Sequence, residues 1–101
     1  MVNVSNLAEK IFSLLKGYGH QVKLYDLNGN ETVDPAESRR MFAMDAGMMV
    51  TLDEDLNELQ LSIGANLGLE DTRKLQRVLQ RFANEYLMNY TVKGFDKSIQ
   101  P

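Results

Sequence analysis

LEDTRKLQRVLQRFANEYLMN, residues 69–89, is the stretch that decides the fold. From it onward Leu75, Val78, Leu79, Phe82, Ala83, Tyr86, Leu87 and Tyr90 recur at i, i+3, i+4, i+7 spacing, which predicts a helix with one wide apolar stripe. Glu70 and Asp71 fall in its first turn, where negative charge complements the helix dipole. A stripe of this kind must cover another apolar layer, and the alternating segments upstream offer a sheet.

Working towards the amino terminus, Leu59, Leu61 and Ile63 alternate with Glu58, Gln60 and Ser62, and Met48, Val50 and Leu52 alternate with Met49 and Thr51. With Asp53-Glu54-Asp55 as the turn between them, these read as a hairpin. Val22 and Leu24 alternate with Lys23 and Tyr25, and Asp26 to Gly29 suits a type I turn followed by a left-handed glycine, so a first hairpin continues through Asn30 to Val33. Asp34 as N-cap, Pro35 at the first helical position and Glu37 as capping acid then predict a helix from Pro35 to about Ala46, closed by Gly47. A first helix over Leu7 to Lys16 is expected, with Asn6 and Glu9 as a capping box and Gly17 as its left-handed end. Thr91-Val92-Lys93 can add an edge strand. The expected fold is α+β: an N-terminal helix, then two β-hairpin-helix units, with a four-stranded, mainly antiparallel sheet packed by helices on one face. One domain covers residues 1–101, with 94–101 a tail or linker to a following domain, anchored by Phe95 and Ile99.

Composition bounds the function. A chain of 101 residues, 44% hydrophobic and 25% charged, fits a single core. It has no cysteine, which excludes disulfides, thiolate metal sites and a cysteine nucleophile. No leader-like or bilayer-length apolar run is apparent, so a cytoplasmic protein without membrane contact is expected. A net charge of -3 argues against broad phosphate-backbone binding but leaves room for a local basic face.

Five groups of residues carry candidate chemistry. Asp26, Asn28, Asn30, Asp34 and Glu37 fall at ligand places of an EF-hand calcium loop, although Glu31 occupies the place where glycine permits the sharp turn. A hairpin followed by a capped helix explains the same residues without metal, and no cofactor is expected. Asp53, Glu54 and Asp55 read as a solvated hairpin tip. His20, the single histidine, lacks an identifiable nucleophile to serve. Met41, Phe42, Met44, Met48 and Met49 place apolar side chains on more than one face, and methionine suits irregular contact surfaces, so this cluster is the candidate for a protein partner or self-association. Arg73, Lys74, Arg77 and Arg81 form a basic stripe on the long helix, the candidate for nucleic acid; Glu85 can offset Arg81 and Glu70 can offset Lys74. No catalytic constellation emerges, and the expected role is a non-enzymatic interaction or structural module.

The run Gln21-Val22-Lys23-Leu24-Tyr25-Asp26, with Gly29-Asn30-Glu31, Asp34-Pro35, Met49-Val50, Leu75, Leu79, Ala83-Asn84-Glu85-Tyr86-Leu87 and Tyr90-Thr91-Val92-Lys93, resembles the opening region of longer, uncharacterised proteins of tailed bacteriophages, particularly those of marine cyanobacteria. The resemblance covers most of the chain. It implies an amino-terminal module of a larger phage protein, in the host cytoplasm or the virion, and carries no activity or ligand residue with it.

Overall fold

The computed structural model describes residues 3–64 and 72–94. Helix α1 runs from Val4 to Gly17, and its cap is Asn3, three residues before the expected Asn6, because Asn3 Oδ1 accepts the Asn6 N–H at 3.0 Å. Asn6 lies inside the helix, and its side-chain amide donates to the Tyr86 hydroxyl at 2.9 Å. Leu7, Ala8, Ile11 and Leu15 form the buried stripe. Gly17 is still helical, and the left-handed position falls instead at Gly19, with φ 85°.

Strands β1 (Val22–Tyr25) and β2 (Glu31–Thr32) form the expected first hairpin. Asp26 Oδ1 accepts the N–H groups of both Asn28 and Asn30, and Gly29, at φ 84°, donates to the Asp26 carbonyl. Asp34 then caps a helical turn by accepting the Ala36 N–H, but only one 3-10 turn follows, Pro35–Glu37.

The expected second helix, Pro35 to Ala46, does not form. The backbone turns extended at Ser38, and Arg40–Ala43 become strand β3, hydrogen-bonded to β1 on one side and β4 on the other. Alternation explains the outcome: in a strand, Met41 and Ala43 both reach the core at 1% exposure, and two neighbours satisfy the backbone. Helix propensity separates ordinary residues by only tenths of a kcal/mol and cannot outweigh that burial. The buried Ser38 hydroxyl lies within hydrogen-bond distance of the Tyr25 and Arg40 carbonyls, where the chain enters the sheet.

Strands β4 (Met48–Asp53) and β5 (Glu58–Ile63) are the expected second hairpin, in register from Met48 opposite Ile63 to Asp53 opposite Glu58. Helix α2 (Arg73–Glu85) crosses over to strand β6 (Asn89–Lys93), which lies parallel to β5. The sheet is therefore six-stranded and mixed, in the order β2-β1-β3-β4-β5-β6. Beyond the four expected, β6 is the edge strand anticipated at Thr91-Val92-Lys93, begun two residues earlier, and β3 is the strand the sequence did not indicate.

Helix α2 stops at Glu85, before the apolar stripe ends. The Leu87 N–H donates to the Asn84 carbonyl and the Met88 N–H to the Ala83 carbonyl, the paired bonds of a Schellman motif. Leu87 occupies the left-handed position usually given to glycine, with φ 58°, and is 77% exposed. Tyr90, expected on the helix, belongs to β6. Asn57, also at positive φ, ties this corner to the β4–β5 turn: its side-chain amide donates to the Leu87 carbonyl and its own carbonyl accepts the Asn89 N–H.

Both helices contribute to one core. Leu7, Ile11 and Leu15 of α1 and Leu75, Leu79 and Ala83 of α2 join Leu24, Met41, Val50, Leu59 and Leu61 of the sheet in a single buried cluster. The expected helix start at Leu69 with its acidic first turn, Glu70 and Asp71, and the tail anchors Phe95 and Ile99 lie outside the described residues.

Leu87 and Tyr90 give two stability predictions. Leu87→Gly relieves a left-handed leucine without exposing new apolar surface and should stabilise the protein by roughly 0.5–1 kcal/mol after the added chain entropy, read as a higher midpoint in urea unfolding. An unchanged or lower midpoint would contradict the cap geometry. The Tyr90 hydroxyl is buried with no hydrogen-bond partner among the described residues, and burial pushes its pKa up to about 12. Since the unfolded tyrosine ionises near 10.0, native stability should fall between pH 10 and 12. Tyr90→Phe should leave neutral-pH stability intact and flatten that alkaline decline; an identical decline in the variant would refute the assignment.

Candidate functional site

The sheet has a buried face and an open one. Inward side chains run across the strands in rows: Val22, Ala43, Met48 and Ile63; Leu24, Met41, Val50, Leu61 and Val92. The intervening residues point the opposite way. One outward row is Lys23, Phe42, Met49, Ser62 and Lys93; the next is Glu31, Tyr25, Arg40, Thr51, Gln60 and Thr91; Asp53, Glu58 and Asn89 make a shorter third. These outward residues are half-buried by one another or exposed, and none belongs to the core cluster. Both described α-helices lie on the inward side, so no described helix covers this face.

The five-residue methionine and phenylalanine cluster is thus divided by the pleat. Met41 and Met48, 1% and 2% exposed, are core side chains and cannot present a surface. Phe42 and Met49 are direct cross-strand partners at the middle of the open face. Met44, in the β3–β4 turn, is exposed to 52%. Tyr25, diagonal to Phe42 across β1 and β3, is a further aromatic on this face that the sequence pattern did not single out. Its alternation with Leu24 was the available signal.

On α2, Arg73, Lys74, Arg77 and Arg81 are all exposed, and none has an ion-pair partner among the described residues. Glu85, expected to offset Arg81, turns towards α1 and pairs with Lys10 at 3.5 Å. Lys10 also lies over the rings of Phe82 and Tyr86, at 5.6 and 5.2 Å, which joins the two helices. Glu70 lies outside the described residues.

The calcium-loop residues sit on the β1–β2 hairpin and the following turn. Asp26 and Asp34 each turn one carboxylate oxygen, Oδ1, to backbone N–H groups of their own turns. Among the described residues, no three histidine or acidic side chains converge as metal ligands. At the nearby end of the sheet, a cleft of about 250 Å³ is lined by Asp26, Arg39, Arg40, Asp53, Glu54 and Asp55. Its charges are largely engaged: Arg39 holds Glu54 and donates to the Ala36 and Ser38 carbonyls, while Asp53 accepts the Leu56 N–H.

His20 Nδ1 lies 3.0 Å from Asp45 Oδ2, and the other oxygen of Asp45 accepts the Gln21 N–H at 3.1 Å. The pair fastens the α1–β1 loop to the β3–β4 turn. Among the described residues, no helix is long and apolar enough to cross a membrane. Compared with known proteins, the chain matches no family model, no curated protein and no solved structure.

The hydrogen bond from His20 holds the Asp45 carboxyl below its ordinary value of 3.8, against an opposing desolvation effect, and Gln21 adds to the lowering. A depressed carboxyl contributes stability above its unfolded pKa and loses it as pH falls through the folded one. Carbon-detected NMR titration should therefore place Asp45 below 3.8, and His20→Ala should move it upward. An Asp45 titration unchanged in the variant would contradict the pairing.

Proposed function

We propose that this protein is a non-enzymatic interaction module, consistent with the phage-type structural role implied by the sequence resemblance, and that the open sheet face docks a slender segment of a protein partner. The cross-strand pair Phe42–Met49 at the centre of that face carries the reading. It puts two half-buried apolar side chains where a solvated sheet ordinarily places polar ones.

Size and charge support a slender occupant. Five strands spaced about 4.8 Å apart span about 19 Å, and five residues along a strand span about 16 Å, a footprint of roughly 300 Å². Each partner in a standard stable interface contributes about 800 Å², so the face suits one helix or one extended strand better than a second globular body. Lys23 and Lys93 end the row that holds Phe42 and Met49; Lys23 pairs with Glu31 at 3.9 Å, a surface pair that a stronger acidic group can displace, so a segment with an apolar centre and acidic flanks complements the row.

A displayed random-peptide library selected against the immobilised protein tests this directly. Enriched peptides should carry apolar centres with acidic flanks, and their affinity should fall tenfold or more, about 1.4 kcal/mol, in Phe42→Ala/Met49→Ala. Peptides that bind the double variant equally well would contradict the reading. So would a concentration-dependent dimer in light scattering that Phe42→Glu abolishes, since the occupant would then be a second copy.

A further inference from the structure

Charge in this chain is segregated. Helix α2 carries Arg73, Lys74, Arg77 and Arg81 against one carboxylate, Glu85, and so contributes +3 to a chain whose total is -3; everything else sums to -6. Glu85 is withdrawn from the stripe by its pairing with Lys10. Arg73, Arg77 and Arg81 recur every fourth residue along one exposed line about 12 Å long, with Lys74 beside it. Leu75, Leu79 and Ala83 fix the opposite side of the helix in the core, so the line is held on a rigid element.

We propose, independently of the sheet-face reading, that this stripe is a binding site for the phosphate backbone of double-stranded nucleic acid. A duplex presents about one negative charge per 1.7 Å of axis, so a 12 Å line of four cations meets several phosphates at once. The exposed residues of α2 are Arg73, Lys74, Arg77, Gln80, Arg81, Asn84 and, at the α1 side, the Lys10-paired Glu85, with no aromatic among them. Unstacked bases therefore find no platform there, and recognition rests on phosphates without base reading. Repulsion from the acidic remainder confines the duplex to this one side.

Fluorescence anisotropy with a labelled 20-base-pair duplex is the test, using the full chain from 50 to 200 mM salt. Four phosphate contacts give a slope of log affinity against log salt of about -3 to -4. Arg73→Ala/Arg77→Ala should reduce that slope by about 2, whereas Arg73→Lys/Arg77→Lys should preserve it, because each contact is a point charge. Matching circular dichroism melts establish that both variants are folded. No duplex binding at 50 mM salt would overturn the proposal, as would a slope unchanged by the alanine pair. Tighter binding to a 20-residue thymidine strand would replace the duplex with a single strand, and polyglutamate that binds as tightly as the duplex would replace nucleic acid with an acidic protein.

Discussion

The pairing of β3 with β1 on one side and β4 on the other determines which side chains this protein hides and which it offers. A strand at that position sends alternate residues to opposite faces, and a shift of one residue would exchange them all. Met41 and Ala43 go under the helices, so Phe42 must face away. The same register carries through β4 and β5, which divides Met48 from Met49 and sets Phe42 against Met49. A half-buried apolar pair on the outward face is thus a geometric consequence of filling the core, and that face is covered by no described helix.

The amphipathic halves of the fold were legible because each has a single competing interpretation. The stripe through Leu75, Leu79 and Ala83, the alternation of Met48 to Leu52 with Leu59 to Ile63, and the Asp26–Gly29 turn all formed as their patterns imply. The failure at Pro35–Ala46 has a different origin. Asp34 and Pro35 are true helix-start signals and do nucleate a turn, but the decision over Arg40–Ala43 belongs to β1 and β4, whose edges both require a partner. Local sequence cannot report that need. The end of α2 is hidden from the sequence for a related reason: Leu87 takes a left-handed conformation that its side chain disfavours, imposed by bonds that reach back to Ala83 and Asn84. The caps at Asn3 and Asn6 look alike in sequence, and packing against Tyr86 gives Asn6 its other use.

The candidate surfaces follow the same division. Five neighbouring apolar residues suggested one patch, whereas the pleat leaves only Phe42 and Met49 on the sheet face, with Met44 on the adjoining turn. The basic stripe kept its position because an exposed helix face is set by period alone. What sequence could not supply was the direction of Glu85, which depends on where α1 lies. The two surfaces belong to opposite layers of the molecule: the sheet turns one way, and the outer side of α2 the other. Ligands of the two proposed surfaces would therefore not compete for the same layer.

Residue-resolved methionine oxidation, followed by mass spectrometry, tests the central claim that alternation through β3 and β4 divides a buried from an open face. In the native protein, Met44 should oxidise fastest and the half-buried Met49 more slowly, while Met41 and Met48 stay protected until the protein unfolds. Equal protection of Met49 and Met48, or oxidation of Met41 at the rate of Met44, would contradict it.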